Sequence, residues 1–569
     1  MKKVSGIIVD IENRRQFPGT VCFEKGKIVD ILHEVSENDI VYPDDAISDQ
    51  LPYILPGFVD SHLYLEMTNL SPAEYARAAF SQGVIAAAVS TNDTSAILGL
   101  KGILALLENA KKSPFYFGFS APATLSKGIY ELPDVEKLLS LPEVTHLGVI
   151  ENFPDVILHE TTVETLFALA KKYGKPADGF APGLSSAHLS EYCASYISTD
   201  CGSVSYEDAQ KKIEQGLAIQ IPTRISEEYK SFLPLFDIAS NTSHLMLCSN
   251  IIYGANIPSG YINRSAAKAI ESGYDIYRVL QAAVINPVKH YKLGSGLLHR
   301  GDNADFIVVD SLHRFEVLRT YIKGTCVYDA TDLSESELGA PADISKSMPA
   351  KTSLKPLNQF SAHAINAEDI QIRASATGSE TEALVTVIEA MGDETCTIKR
   401  TEHLPVKNGC VCQSIEKDCL KAVLVSRNGT FKPVSAFVHG FKMKKGAIAL
   451  SISHDEHNII AVGTTDEDLV LAVNTVISMN GGTAYVTDGK VGAQIQFDFA
   501  GLLSTKPFEE YKTEYDKTAD ITRNQMEIKI KRPVRVLTYL ADTNVPTIKL
   551  SPRGLFNVAT QELIPVVVG

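Results

Sequence analysis

Between about residue 55 and residue 301, short apolar runs such as VIAAAVS, THLGVI and HLMLCS alternate with helical patterns such as SPAEYARAAFSQG and VETLFALAKKYG. Strands that alternate with helices imply a parallel sheet with the helices covering it. About 250 residues of such alternation is the length of a (β/α)8 TIM-like barrel. The functional site of that fold is built on the loops that follow the carboxyl ends of the strands.

The flanking stretches have a different texture. SGIIVDIE and GTVCFEKGKIVDIL read as short strands, with Lys25-Gly26 as a hairpin turn. A second strand-rich stretch, ADFIVVDSLHRFEVLRTYIKGTCVYD, follows the alternating region. The polar, Ser-, Pro- and Lys-rich segment after it reads as a linker. Beyond it EALVTVIEA, KAVLVSR, NIIAVG and the helical DEDLVLAVNTVISM open a new α/β stretch. The expected organisation is a small β domain of residues 1–54 plus 302–331, a sandwich completed after the barrel, and a barrel over 55–301. A linker over 332–357 and a C-terminal α/β domain over 358–569 complete it.

A chain of 569 residues is too long for one compact core, and its 45% apolar and 21% charged residues are those of a globular protein. The net charge of -15 argues against binding nucleic acid, which needs clustered Lys and Arg. The N-terminus MKKVSGIIVDIENRR is too polar for a secretory signal, and no apolar run approaches the roughly 20 residues that span a bilayer. The nine cysteines are scattered without a CxxC pair, so a reduced, cytoplasmic setting is expected and membrane partners are not.

One stretch of the alternating region carries chemistry. PGFVDSHLYLEM places His62 at the end of an apolar run, where barrel metallohydrolases often have His-x-His, but the second position is Tyr64. Several further segments join it: HLGVIENFPDVI, DGFAPGLSSAHLSEY, AAVINPVKHYKLG, GDNADFIVVD, FVHGFKMKKGAIALSISHDEHNIIAVGTTDEDLVLAVNTVISMNGG and IKLSPRGLFNV. Together they are collinear with, and resemble, the bacterial adenine deaminases of the amidohydrolase superfamily over essentially the whole chain. The resemblance implies hydrolysis of adenine to hypoxanthine and ammonia. A transition metal would activate the water, and carboxylates near it would move the protons.

Carried over residue by residue, the resemblance gives a mixed site. His62 holds the first strand-one histidine position, with Asp60 and Glu66 flanking it, and Glu151 stands where the family has its metal-bridging glutamate. The other positions differ: Tyr64, Phe180 and Cys201 replace histidines, and Thr91-Asn92-Asp93-Thr94 replaces an Asp-Pro-His-Glu segment. Asn250 stands at the proton-handling aspartate, and an amide cannot shuttle a proton as a carboxylate does. His62 and Glu151 alone are too few ligands to hold iron, manganese or zinc.

Two readings follow. In the first, the chain is a family member with a degenerate metal site and absent or very weak deamination, which binds a purine or related small molecule or acts as a partner or regulator within an oligomer. In the alternative, it is an active hydrolase of adenine or another cyclic amidine or amide, with a mononuclear His62, Glu151, Cys201 site. Asp93, Asp200, Tyr64 and His244 lie near the relevant strand ends in sequence. The expected cofactor is accordingly none, or a weakly bound Mn, Fe or Zn ion in the active case. Late in the chain His454, Asp455, His457 and Asn458 match a family His-Asp-x-His-Asn signature and have a binding or a structural role. The resemblance also makes a homo-oligomer the expected state.

Overall fold

The computed structural model describes residues 1–41, 51–184, 186–223, 227–330, 353–374, 381–392, 396–453, 457–543, 545 and 547–568. The chain divides into two compact units, Met1–Leu354 with Pro507–Glu509, and Lys355–Lys506 with Glu510–Gly569. Most of the polar linker segment, residues 332–352, lies outside the described residues.

In the first unit a seven-stranded sheet draws strands from both flanks of the barrel. Its order is Thr325–Asp329, Val317–Ile322, Phe306–Val309, Tyr53–Leu55, Lys2–Asp10, Arg15–Glu24 and Lys27–Leu32. Val4, Ile8, Val21, Phe23, Phe306 and Val308 form its apolar core. Lys25 and Gly26 both take positive φ, 51° and 78°, which is the two-residue turn whose twist matches that of the strands it joins.

The barrel is eight parallel strands in chain order: Phe58–Tyr64, Val84–Ser90, Tyr116–Ala121, Val144–Ile150, Ala177–Gly179, Ile197–Asp200, Ala218–Pro222 and Leu245–Cys248. Each pairs in parallel with the next. The second strand, VIAAAVS, is buried at every position, as a strand covered on both faces requires. The covering helices turn apolar stripes inward; in Thr161–Lys172 the buried residues are Val163, Leu166, Phe167 and Ala170.

The ring is closed by main chain at Asn250. Its N–H donates to the His62 carbonyl (2.9 Å), and its own carbonyl accepts from the Tyr64 N–H (3.1 Å), joining the end of the eighth strand to the first. Asn250 holds φ 59°, a left-handed conformation that asparagine tolerates better than most residues.

The second unit is built on a ten-stranded sheet and a three-stranded one. The helix Asp466–Ser478 is capped by Thr465, whose hydroxyl accepts from the Asp468 N–H. It lays Leu469, Ala472, Val473 and Val476 onto Val423, Ala449, Ile459 and Ala461 of the larger sheet. Among the described residues no helix is long and apolar enough to cross a membrane.

Candidate functional site at the barrel mouth

The parallel barrel carries its strand-end loops at one mouth, and most of the residues singled out in sequence stand there. His62 and Tyr64 end the first strand, Glu151 follows the fourth, Phe180 the fifth, Cys201 the sixth, and Asn250 lies just beyond the eighth. His244 does not belong with them. It precedes the eighth strand, so it sits at the amino end of the barrel, opposite the mouth.

His62 is 1% exposed, and neither ring nitrogen has a hydrogen-bond partner among the described residues. Burial pushes its imidazole down to about 4, with His146 acting in the same direction and Asp178 against it. The ring is therefore neutral at pH 7. The Tyr64 ring meets it edge to face at 4.8 Å.

The Tyr64 hydroxyl donates to Oε1 of Glu151 at 3.3 Å, and Nδ2 of Asn92 donates to the same oxygen at 3.4 Å. Glu151 itself is exposed. Phe180 is half-buried; its N–H donates to the Ile150 carbonyl at the end of the fourth strand. Its ring packs so closely on Gly202 that a Cβ there would fall 2.9 Å from it. Cys201 is buried, and its thiol points to the Gly179 carbonyl at 3.7 Å. Burial, with Asp200 adding to it, pushes that thiol well above its ordinary value, so it is a neutral thiol rather than a thiolate.

These side chains do not fit the metal site that the sequence resemblance implies. A transition-metal site needs three or more deprotonated or imidazole donors converging on one point. Among the described residues no three His, Cys, Asp or Glu side chains are so grouped. His62, Glu151 and Cys201 are thus not brought together as a set. Asp200 is committed elsewhere. It accepts from Lys212 Nζ (2.8 Å), the Ala181 N–H (2.9 Å) and the Tyr192 hydroxyl (3.2 Å), tying the loops after the fifth and sixth strands together. Lys212 is fully buried in that network.

Beneath the mouth lie Asp60 and Glu66, which flank His62 in sequence, together with Asp178 and His146, whose roles sequence reasoning passed over. Asp60 takes two hydrogen bonds from Ser249, from N–H at 2.9 Å and Oγ at 2.5 Å, and one from the Tyr261 hydroxyl at 2.5 Å. Burial nonetheless pushes its carboxyl up to about 6. Asp178 accepts from Thr199 Oγ1 (2.7 Å) and the Tyr291 hydroxyl (2.8 Å) and lies 3.5 Å from His146 Nε2. His146 is pushed down to about 3 by burial, with Lys175 acting in the same direction. Glu66 accepts from the Thr94 N–H and hydroxyl, and burial, with the nearby Asp93 carboxylate, pushes it up. Asp178 stands in the quoted DGFAPG segment and Tyr291 in VKHY, so the signal was present, but the inward direction of His146 in THLGVI had none.

In the second unit, His454 and Asp455 lie outside the described residues. His457 and Asn458 surround the buried Arg427. The Asn458 side-chain oxygen accepts from the Arg427 N–H (3.1 Å), and the His457 carbonyl accepts from Arg427 Nη1 (3.2 Å). Arg427 Nη2 also reaches the Ala500 carbonyl at 2.6 Å. The described half of the motif thus holds main chain around a buried cation.

The barrel with its strand-end mouth belongs to a broad class, and residues 53–327 match the Amidohydrolase family. Residues 394–562 match the adenine deaminase C-terminal domain. The chain is 34% identical over 580 residues to an adenine deaminase of Methanosarcina barkeri, covering 100% of both chains. It is 35% identical over 579 residues to one of Methanosarcina mazei, covering 99% of each. A beta-aspartyl dipeptidase structure from Fervidobacterium islandicum AW-1 is similar at 13% identity and TM-score 0.43, over 57% of this chain and 97% of that one. The chain belongs to the adenine deaminase family.

Proposed function

We propose that this chain keeps the adenine deaminase framework and releases ammonia from adenine very slowly or not at all. The observation that carries this reading is the engagement of Glu151 by the neutral donors Tyr64 and Asn92 at the point where the family resemblance puts a metal bridge. When bound, a divalent Mn, Fe or Zn ion would supply an activated water. The residues left at this mouth offer such an ion one neutral imidazole and one carboxylate, with a phenyl ring and a neutral thiol at two further positions. Asn250, at the position the resemblance gives to the proton-carrying aspartate, has an amide that cannot take up and return a proton.

The test uses full-length protein produced with Mn, Fe or Zn supplied, its metal content measured by mass spectrometry and ammonia release followed with adenine. The expected result is well under one ion per chain and release at background. Tightly held stoichiometric metal with rapid turnover would sink the reading. In that case Glu151→Gln and His62→Ala should each abolish activity, as the mononuclear alternative requires.

A further inference from the structure

In the second unit the turn Asn408-Gly409 leads into the short strand Cys410–Val411, and the sequence GCVCQ spaces two cysteines one residue apart. The strand lies between Ile372–Arg373 and the end of Thr397–Lys407, antiparallel to both. Its register fixes which side chains share a face, because successive residues of a strand point to opposite faces. Val411 stands opposite Ile372 and Val406, and the three pack in one apolar cluster. Cys410 stands opposite Arg373 and Lys407, which are exposed, so it turns to the other face. The ladder runs one step further, where the Cys412 N–H donates to the Pro405 carbonyl at 2.8 Å, and Cys412 therefore shares the face of Cys410. Both thiols are half-buried.

The two sulfurs lean toward each other along the strand. Cys412 Sγ points back to the Cys410 carbonyl at 3.7 Å, and Cys410 Sγ reaches forward to Oε1 of Gln371, 3.6 Å away and across the ladder from Cys412. Side chains two positions apart on a strand start roughly 6.6 Å from each other. Two metal–sulfur bonds of roughly 2.3 Å set in a line span about 4.6 Å, so each sulfur closes in by about 1 Å to share an ion. Among the described residues no third His, Cys, Asp or Glu joins the pair. A structural zinc ion needs four donors and finds two here. A soft monovalent ion of the copper(I) class is held by two thiolates in a line. Such a complex carries a net negative charge, and Arg373 and Lys407 bring two positive charges to that face.

We propose that Cys410 and Cys412 form a two-coordinate site for a copper(I)-like ion, on the face of the ten-stranded sheet turned away from the apolar cluster. Binding breaks two S–H bonds, makes two S–Cu bonds and releases two protons to water, and the ion keeps its oxidation state throughout. The site is built by the second unit alone and stands whether or not the barrel mouth deaminates adenine.

The experiment is an anaerobic titration of reduced full-length protein with copper(I), in competition with the chromogenic chelator bathocuproine disulfonate. One ion per chain should be withheld from the chelator. Cys410→Ser and Cys412→Ser should each weaken binding by about a hundredfold or more, whereas Cys326→Ser and Cys396→Ser, at the exposed cysteines, should change it by less than about twofold. Copper X-ray absorption on the parent protein is a second measure that depends on no variant, and two sulfur neighbours per copper are expected. No retention of copper, equal retention by the variants at 410 and 412, or three or more sulfur neighbours per copper overturns the site.

Discussion

The hydroxyl of Tyr64, at the end of the first barrel strand, donates to the carboxylate of Glu151, at the end of the fourth, across 3.3 Å. A side chain that would be needed to face a metal is thereby met by a phenol. Tyr64 ends the first barrel strand and Glu151 follows the fourth, two positions at which the family resemblance implies metal ligands.

If the missing imidazoles are what keep metal out, restoring them should let it in. The combined change Tyr64→His, Phe180→His, Cys201→His and Asn250→Asp is expected to raise the metal content of protein grown with Mn, Fe or Zn several-fold over the parent. Tyr64→His alone should not, since one added donor leaves the set incomplete. Mass spectrometry of the purified proteins decides between these outcomes, and equal metal in parent and combined variant would count against the assignment of these positions.

Asp60 joins the first strand to the eighth through Ser249 and to the following segment through Tyr261. Tyr261→Phe removes a donor from a buried carboxyl and the acceptor of the Tyr75 hydroxyl 2.7 Å away. The expected loss is about 1–3 kcal/mol of stability, read from urea unfolding.

Lys212 is the buried cation of the Asp200 network. Replacing it by methionine keeps the volume and strands the Asp200 carboxylate without its charge partner. A loss of about 3–5 kcal/mol is expected, with Asp200→Asn in the same background recovering part of it. Simple additivity of the two changes would contradict the coupling.

His146 gives a pH-dependent test. Its imidazole is pushed down to about 3 in the folded chain, from an ordinary 6.5. As pH falls below 6.5 the unfolded chain binds a proton that the folded chain refuses until about pH 3. Stability is therefore complete above pH 6.5 and lost on acidification, at up to about 1.4 kcal/mol per pH unit from this group. The raised carboxyls of Asp60 and Glu66 act in the opposite sense, so the clean measurement is a difference. The stability advantage of the parent over His146→Gln should shrink between pH 6.5 and 4.5, and a constant gap would show that the imidazole does not titrate as described.

Much of the architecture could be read from the chain because it is written locally. The apolar runs VIAAAVS and THLGVI are barrel strands, and the Lys25-Gly26 turn has the two positive φ angles a tight hairpin demands. The fifth strand, Ala177–Gly179, was beyond such reading: three residues with no β-branched side chain become a strand only because neighbours on both sides pair with them. His244 misled because nearness in sequence to a strand says nothing about which end of it a side chain occupies. The positions of Glu151, Phe180 and Cys201 followed from strand order, whereas the Asp60–Ser249–Tyr261 and His146–Asp178–Tyr291 groupings join residues from distant strands and helices. No local pattern records such contacts.

The closure of the barrel at Asn250 has a consequence for how a protein of this kind can change. The seam between the last strand and the first is sewn by the N–H and carbonyl of residue 250, and the side chain takes no part in it. Any residue content with a left-handed turn, asparagine or aspartate among them, can occupy the position without unfastening the ring. Exchange of a proton-carrying group for an inert amide is thus mechanically silent. The main chain at residue 250 holds the seam, so the side chain there can vary without cost to the barrel.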